Sequence, residues 1–229
     1  MAYILNIESA TDVCSICISD NDKILAVQET VSNHASQITM MIEKCLLEAH
    51  LKMKNLDAIA ISNGPGSYTS LRIGASTAKG ICYALDIPLI AVDTLKALAL
   101  NAYLNLKDEE ALYCPMIDAR RMEVYTAVFK AEKNGLKLEE PMKPLIVETD
   151  TYNHYFDDNK RIIICGNGAD KCSTIIDNKH LIFFKSICSS TYLVPLSIKL
   201  FFDKQFVDIA YYTPQYLKAP NITKPKNIL

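Results

Sequence analysis

The run Asn63-Gly64-Pro65-Gly66-Ser67-Tyr68-Thr69-Ser70-Leu71-Arg72-Ile73-Gly74 carries the residue types best suited to special chemistry. Gly64 and Gly66 open backbone conformations that other residues avoid. Pro65 fixes the turn between them, and Ser67 or Thr69 can cap a helix that begins there. The bare N–H groups of such a helix start suit an anion, which glycine lets approach. The run lacks the Lys-Ser/Thr of a P-loop and the GxGxxG of a dinucleotide fold. On chemistry alone it reads equally as a phosphate cradle or as a tight strand–turn–helix hinge. A second polar cluster, Asp118-Ala119-Arg120-Arg121-Met122-Glu123, sets two acids and two arginines around a turn. It can bind a polar ligand; the preferred reading is a self-paired structural turn. His34, His50, His154 and His180 form neither HxxxH nor HExxH, and no serine lies in a GxSxG elbow. No catalytic residue, metal ligand or cofactor is therefore expected.

Those residues must be positioned by alternating strands and helices. Tyr3–Glu8, Val13–Ser19 and Lys23–Glu29 read as strands joined by polar turns. A helix is expected from His34 to His50, capped by Ser32 or Asn33. A strand over Leu56–Ser62 leads into the glycine turn, and a helix follows from Tyr68 to Leu85. Pro88–Val92 is a strand, and Asp93 or Thr94 caps a helix towards Leu106. The second half repeats the order with Cys114–Asp118, Glu123–Lys130 and Leu136–Pro141 as strands. Arg161–Cys165, a short helix near Ala169–Ile176, a strand over Leu181–Phe184 and a helix near Thr191–Phe202 follow. The first strand of each half ends on an acid, Glu8 and Asp118. Such repetition predicts a duplicated unit and two domains, 1–108 and 109–229, with mixed sheets.

Composition narrows the class. The chain has 229 residues, 50% hydrophobic and 22% charged, with a formal charge of −2. That is globular composition. It argues against a protein that grips nucleic acid alone through a broad basic face. No apolar run has the length of a membrane span, and the strand-like start lacks the form of a signal peptide, so a soluble, cytoplasmic protein is expected. The eight cysteines mostly lie in apolar runs and read as buried free thiols rather than a disulfide framework or a zinc site. Lys218, Lys224 and Lys226 give the C-terminal end a short basic tail, read chiefly as solvated, with phosphate contact as the alternative.

Two helices carry more apolar or small surface than a core needs. In the first, Ile38, Met41, Ile42, Cys45, Leu46 and Ala49 form one full apolar face. Met40, Leu47 and Leu51 lie nearly opposite and imply burial on that side too, against a partner in the preferred reading or within the fold in the other. In the helix after the glycine turn, Ser70, Gly74 and Ala78 share a small-residue face that lets another backbone come close, within the fold or across a subunit boundary.

The glycine run, with Ile4-Leu5-Asn6-Ile7-Glu8-Ser9-Ala10-Thr11, the segment Asp118 to Tyr125 and the late Pro214-Gln215-Tyr216-Leu217-Lys218, resembles the TsaB (YeaZ) family over nearly the whole chain. The resemblance implies a two-domain α/β fold of the actin-like ATPase and sugar-kinase (ribonuclease H-like) type. It implies a non-catalytic dimerisation subunit in the synthesis of N6-threonylcarbamoyladenosine at position 37 of tRNAs that read codons starting with A. The catalytic partner would be a TsaD-like subunit, which this chain would activate, and a TsaE-like ATPase would join them. Contact with tRNA would be indirect, through the complex, and the isolated chain could pair with itself. The implied partner interface comprises Met40, Leu47, Leu51, Ser67, Tyr68, Ser70, Gly74 and Ala78. A vestigial nucleotide site would gather Glu8, Ser9, Thr11, Gly64, Gly66, Asp118, Gly166 and Gly168. Ser70 stands where the family usually has glycine, Glu8 where many members have aspartate, and Lys218 where arginine is common. The competing reading is a stand-alone ATP-dependent enzyme or peptidase of the same superfold.

Overall fold

The computed structural model describes residues 1–31, 34–133, 135–157 and 160–218. The strands are β1 (Tyr3–Glu8), β2 (Val13–Asp20), β3 (Lys23–Val31), β4 (Ala58–Ser62), β5 (Leu89–Val92), β6 (Leu112–Asp118), β7 (Glu123–Glu132), β8 (Gly135–Ile146), β9 (Ile162–Cys165) and β10 (Leu181–Phe184). The helices are α1 (His34–Glu48), α2 (Tyr68–Leu85), α3 (Thr94–Leu106), α4 (Asn153–Asp157), α5 (Ala169–Ser173) and α6 (Val194–Phe202). Among the described residues no helix is long and apolar enough to cross a membrane.

The strands build two five-stranded sheets, ordered β3-β2-β1-β4-β5 and β10-β9-β6-β7-β8. Read from opposite ends, the two orders are the same. In each, the first two strands of the half pair antiparallel, and the third to join the centre, β4 or β9, runs parallel to the first. The duplication expected from the sequence is thus present in the topology.

Burial explains the layering. Both faces of the central strands are covered, so they read as continuous apolar runs rather than alternating ones. Leu5, Ile7, Ile59 and Ile61 pack with Ile38, Ile42 and Cys45 of α1 and with Ala75, Ala78 and Cys82 of α2. Ile4, Ala58, Ala60 and Ile90 face the other way, against Ala97, Leu193 and the α6 side chains Leu196, Leu200 and Phe201. The second sheet packs Tyr113, Phe129 and Ile163 against Leu95, Leu98, Ala99 and Ala102 of α3.

The two halves exchange helices. α3 precedes the second sheet in sequence, yet its main apolar face covers that sheet. α6 follows the second sheet, yet it packs on the first. There the Ser197 hydroxyl donates to Oδ1 of buried Asn6 at 2.7 Å. The chain then returns along the edge of the first sheet as a strap, residues 207–218. Val207 N donates to Leu89 O at 3.0 Å, which covers part of the β5 edge. All eight cysteines are buried free thiols. The expected caps Ser32 and Asn33, and the tail residues Lys224 and Lys226, lie outside the described residues. Lys218 is not free in solvent: its ammonium pairs with the Glu123 carboxylate.

Candidate functional site

The glycine turn leaves β4 and is held from four directions. Asn63 N donates to Val92 O at 2.7 Å, and Asn63 O accepts from Gln215 N at 2.8 Å. Gly64 N donates to the Thr94 hydroxyl at 3.1 Å. Ser67 N donates to Ala10 O at 2.7 Å. Gly64 adopts φ +99°, a left-handed conformation that glycine reaches without strain; a Cβ there would stand 2.7 Å from Gln215 O. At Gly66 a Cβ would lie 2.8 Å from both the carbonyl carbon and the Cβ of Ala10, and nearer still to its oxygen. Glycine lets the chain's own backbone approach. The place a phosphate would take beside Gly66 is filled by the Ala10 carbonyl, which offers negative rather than positive potential. This geometry favours the hinge over the cradle. Ser67 does not cap α2 with its side chain; its hydroxyl meets that of Ser70 at 3.0 Å.

The hinge lays α2 on β1. Gly74 faces inward, where a Cβ would strike the Ser9 hydroxyl and reach Ile7 at 3.7 Å. Ser70, Gly74 and Ala78 are buried within this chain. The small-residue face placed in a partner interface therefore serves internal packing, which corrects that assignment for these three residues. Helical periodicity shows which residues share a face, but not which way the face turns. The outward face of α2 carries Thr69, Arg72, Ser76, Gly80 and Tyr83. A shallow hollow along it is lined by Tyr68, Thr69, Arg72, Ile73, Ser76 and Thr77.

On α1, Met40 is 53% and Leu47 68% exposed, while the opposite face is buried in the core. Leu51 is placed differently. The helix ends at Glu48, His50 takes φ +55°, and Leu51 N reaches back to Leu46 O at 2.9 Å. That closing pattern brings the residue after the left-handed position against the last helical turn. Leu51 is half-buried and packs against the core, past the end of the helix that carries Met40 and Leu47.

The strap completes this side. Lys79 Nζ donates to the carbonyls of Ala210 and Tyr212 at 3.4 and 3.2 Å. Tyr212 Oη donates to Asn63 Oδ1 at 3.0 Å. The Tyr216 ring lies against that of Tyr68, with centroids 4.6 Å apart and planes tilted by 42°. Arg72 lies over the Tyr68 ring at 4.2 Å, and its Nε donates to Tyr216 Oη at 3.3 Å. Reading the sequence placed Tyr68 at the surface but missed its contact with Tyr216; a segment so far away in the chain leaves no local signal.

The residues assigned to a nucleotide site fall into two groups. Glu8, Ser9, Thr11, Gly64 and Gly66 meet at the end of β1. Glu8 is almost fully buried; burial raises its carboxyl to about 7, partly offset by hydrogen bonds from Ala10 N (2.6 Å) and Ser62. Ser9 N donates to the Ser62 hydroxyl at 3.1 Å. Asp118, Gly166 and Gly168 meet at the end of β6. Gly166 has φ +97°, and a Cβ on it would collide with the Met116 carbonyl. Gly168 N donates to Met116 O at 3.0 Å. These glycines too serve close backbone packing. Among the described residues no side-chain hydrogen bond joins the two groups, and no cluster of three or more His, Cys, Asp or Glu is placed to hold a metal.

At the β6–β7 turn the acids do not pair with the neighbouring arginines, as a self-paired turn would require. Asp118 Oδ1 accepts from Lys171 Nζ at 2.5 Å and from Arg120 N at 2.6 Å. Glu123 pairs with Lys218.

Comparison with known proteins matches residues 27–191 to the family model described as "TsaD: tRNA N6-adenosine threonylcarbamoyltransferase". The "tRNA threonylcarbamoyladenosine biosynthesis protein TsaB" of Buchnera aphidicola (Acyrthosiphon pisum) is 33% identical over 62% of this chain and 64% of that protein. The protein of the same description from Escherichia coli K12 is 32% identical over 63% and 64%. The chain thus spans just under two thirds of these curated relatives. The solved structure "YeaZ from Pseudomonas aeruginosa" superposes with a TM-score of 0.81 at 25% identity, covering 95% of this chain and all of that one. The fold is the mixed α/β fold of that YeaZ structure, with two five-stranded mixed sheets.

Proposed function

Because this chain belongs to the family of that model, and within it to the TsaB (YeaZ) proteins, we propose that it acts in making threonylcarbamoyladenosine on tRNA, as a non-catalytic subunit that pairs with and activates a TsaD-like catalytic subunit in the cytoplasm. A TsaE-like ATPase joins the assembly, and a second copy of this chain competes for the same face when the partner is absent.

The observation that carries this reading is the outer face of α1. Met40 and Leu47 are seven residues apart, on one side of a helix whose opposite side already fills the core. An apolar pair left over after the core is complete supports a docking role. Tyr83 on the adjoining α2, also exposed, adds a residue type that dominates interface energetics. Against the stand-alone enzyme reading stands the glycine turn, whose open space is occupied by the Ala10 carbonyl.

The test is capture of the TsaD-like subunit by the double variant Met40→Asp/Leu47→Asp. Both sites are exposed, so the variant folds with an unchanged melting temperature. Loss of capture is expected, since buried anchors contribute about 2 kcal/mol or more each. Normal capture by the folded variant would sink the assignment of this face. Titrating the isolated chain with ATP and magnesium in a calorimeter separates the enzyme reading, which requires micromolar binding.

A further inference from the structure

The β6–β7 turn holds two adjacent arginines, Arg120 and Arg121, in left-handed backbone conformation, with φ +72° and +50°. Side chains other than Gly, Asn and Asp rarely adopt this conformation, and two in succession are the place where hairpins put Asn-Gly. Sequence economy would have removed the strain, so its persistence points to a use for the side chains. Both arginines are exposed. Neither guanidinium has an ion-pair or hydrogen-bond partner among the described residues, because the carboxylates beside them are engaged elsewhere. Asp118 holds Lys171 at 2.5 Å, and Glu123 holds Lys218. Lys171 Nζ also donates to Glu123 O at 3.0 Å. Two lysines from α5 and the strap thus quench the acids of the turn and leave its arginines as uncompensated positive charge.

Aromatic rings lie along the strap from Lys218, the lysine that pairs with Glu123 of this turn. Lys218 lies two residues beyond Tyr216, so their Cα atoms are no more than about 7 Å apart. Tyr216, Tyr68 and the Arg72 guanidinium form the cluster already described. Cations that track phosphates beside flat rings that stack on bases are the chemistry by which proteins hold single-stranded or looped nucleic acid.

We propose that the turn carrying Arg120 and Arg121, together with the Tyr68–Arg72–Tyr216 cluster, contacts the tRNA directly through its phosphates and an unstacked base. The identity of the ligand rests on the tRNA-modification reading above; the site itself does not. It adds a direct RNA contact to a subunit otherwise expected to meet tRNA only through its partner.

The experiment is fluorescence anisotropy of a labelled tRNA transcript titrated with the full chain across a salt series, for wild type and for Arg120→Asn/Arg121→Gly. This variant supplies the residues that prefer the left-handed turn, so its melting temperature is expected to stay level or rise. Its affinity is expected to fall roughly tenfold or more, and its log–log salt slope to become shallower by roughly 1.4 to 1.8, the loss of two phosphate contacts. Equal affinity and slope for the two proteins overturns the proposal, as does a wild type that binds no RNA. A lowered melting temperature overturns it by making the arginines structural. Unchanged tRNA binding with lost capture of the TsaD-like subunit overturns it in favour of an acidic protein surface. The variant leaves Met40 and Leu47 intact, so a failed assembly reading with retained, arginine-dependent tRNA binding would leave this site standing.

Discussion

Replacing Gly66 by alanine would set a methyl group against the Ala10 peptide, 2.8 Å from its carbonyl carbon and closer to its oxygen. Both partners are backbone, so no rotamer change relieves the clash. The exit loop of β1 or the start of α2 must move. Overpacking of this kind costs about 1–3 kcal/mol. The movement also stretches the 2.7 Å hydrogen bond from Ser67 N to Ala10 O, a further loss of about 1 kcal/mol. Reduced freedom of the unfolded chain returns roughly 0.4–1 kcal/mol. The net is a destabilisation of about 2–3 kcal/mol. For a chain of this size that lowers the melting temperature by roughly 5–10 °C, at about 2–4 °C per kcal/mol. Calorimetric or circular-dichroism melting measures it. The control is Gly80→Ala, late in α2, where a Cβ meets nothing within 4 Å. A Gly66→Ala protein that melts with the wild type would refute the view that this glycine exists to admit the Ala10 backbone.

Gly80→Ala itself should stabilise the protein by about 1 kcal/mol, the helix propensity difference, and a lowered melting temperature would show that the outer face of α2 is more crowded than described. Glu8 titrates near 7 when folded against 4.5 for its unperturbed state. Because the folded value is the higher one, its contribution is full below pH 4.5 and is lost as pH rises through 7, by roughly 3 kcal/mol at 1.36 kcal/mol per unit; Glu8→Gln should flatten that decline in melts across the window, and parallel curves for the two proteins would contradict it. Tyr216→Ala removes a ring pair and an arginine contact, together about 1–2 kcal/mol, and should expose the strap to limited proteolysis; an unchanged cleavage pattern would argue that Tyr212 and Gln215 hold the strap alone. Burial pushes the thiols of Cys17, Cys45 and Cys165 up to about 12 and those of Cys14, Cys82 and Cys172 to about 11, so a thiol-specific chromogenic reagent should label the native protein only after denaturant is added, and prompt labelling would place a cysteine at the surface.

Much of this fold is legible where the signal is local. Tyr68–Leu85 begins after two glycines and a serine and ends before Asp86, which takes φ +54°, and the chain's patterning locates both ends. The buried strands β1 and β4 announce themselves as apolar runs, and the duplicated order of elements is visible in their succession. What the residues conceal is direction and distance. Ser70, Gly74 and Ala78 share a face in any helix, but only the angle set by the turn decides that this face meets Ser9 and Ile7. Leu51 has helical spacing from Leu47, and a left-handed His50 removes it from that series. The exchange of α3 and α6 between the sheets leaves no trace in periodicity, because a helix is amphipathic in the same way whichever sheet it covers. The acids beside Arg120 and Arg121 look like their partners in sequence; the lysines that claim them come from α5 and from the strap.

The strap has a consequence for the order in which the molecule can be finished. Asn63 and Gly64 emerge early in synthesis, but the carbonyl of Asn63 waits for Gln215, and the Tyr68 ring waits for Tyr216. By then every strand and helix of both sheets has been made. The last contacts of the hinge are therefore supplied by chain made after both sheets. A product truncated after Phe202 would retain both sheets and lack the piece that seats α2 at its start. A surface that depends on the strap is therefore offered to other molecules only by chains translated through Tyr216.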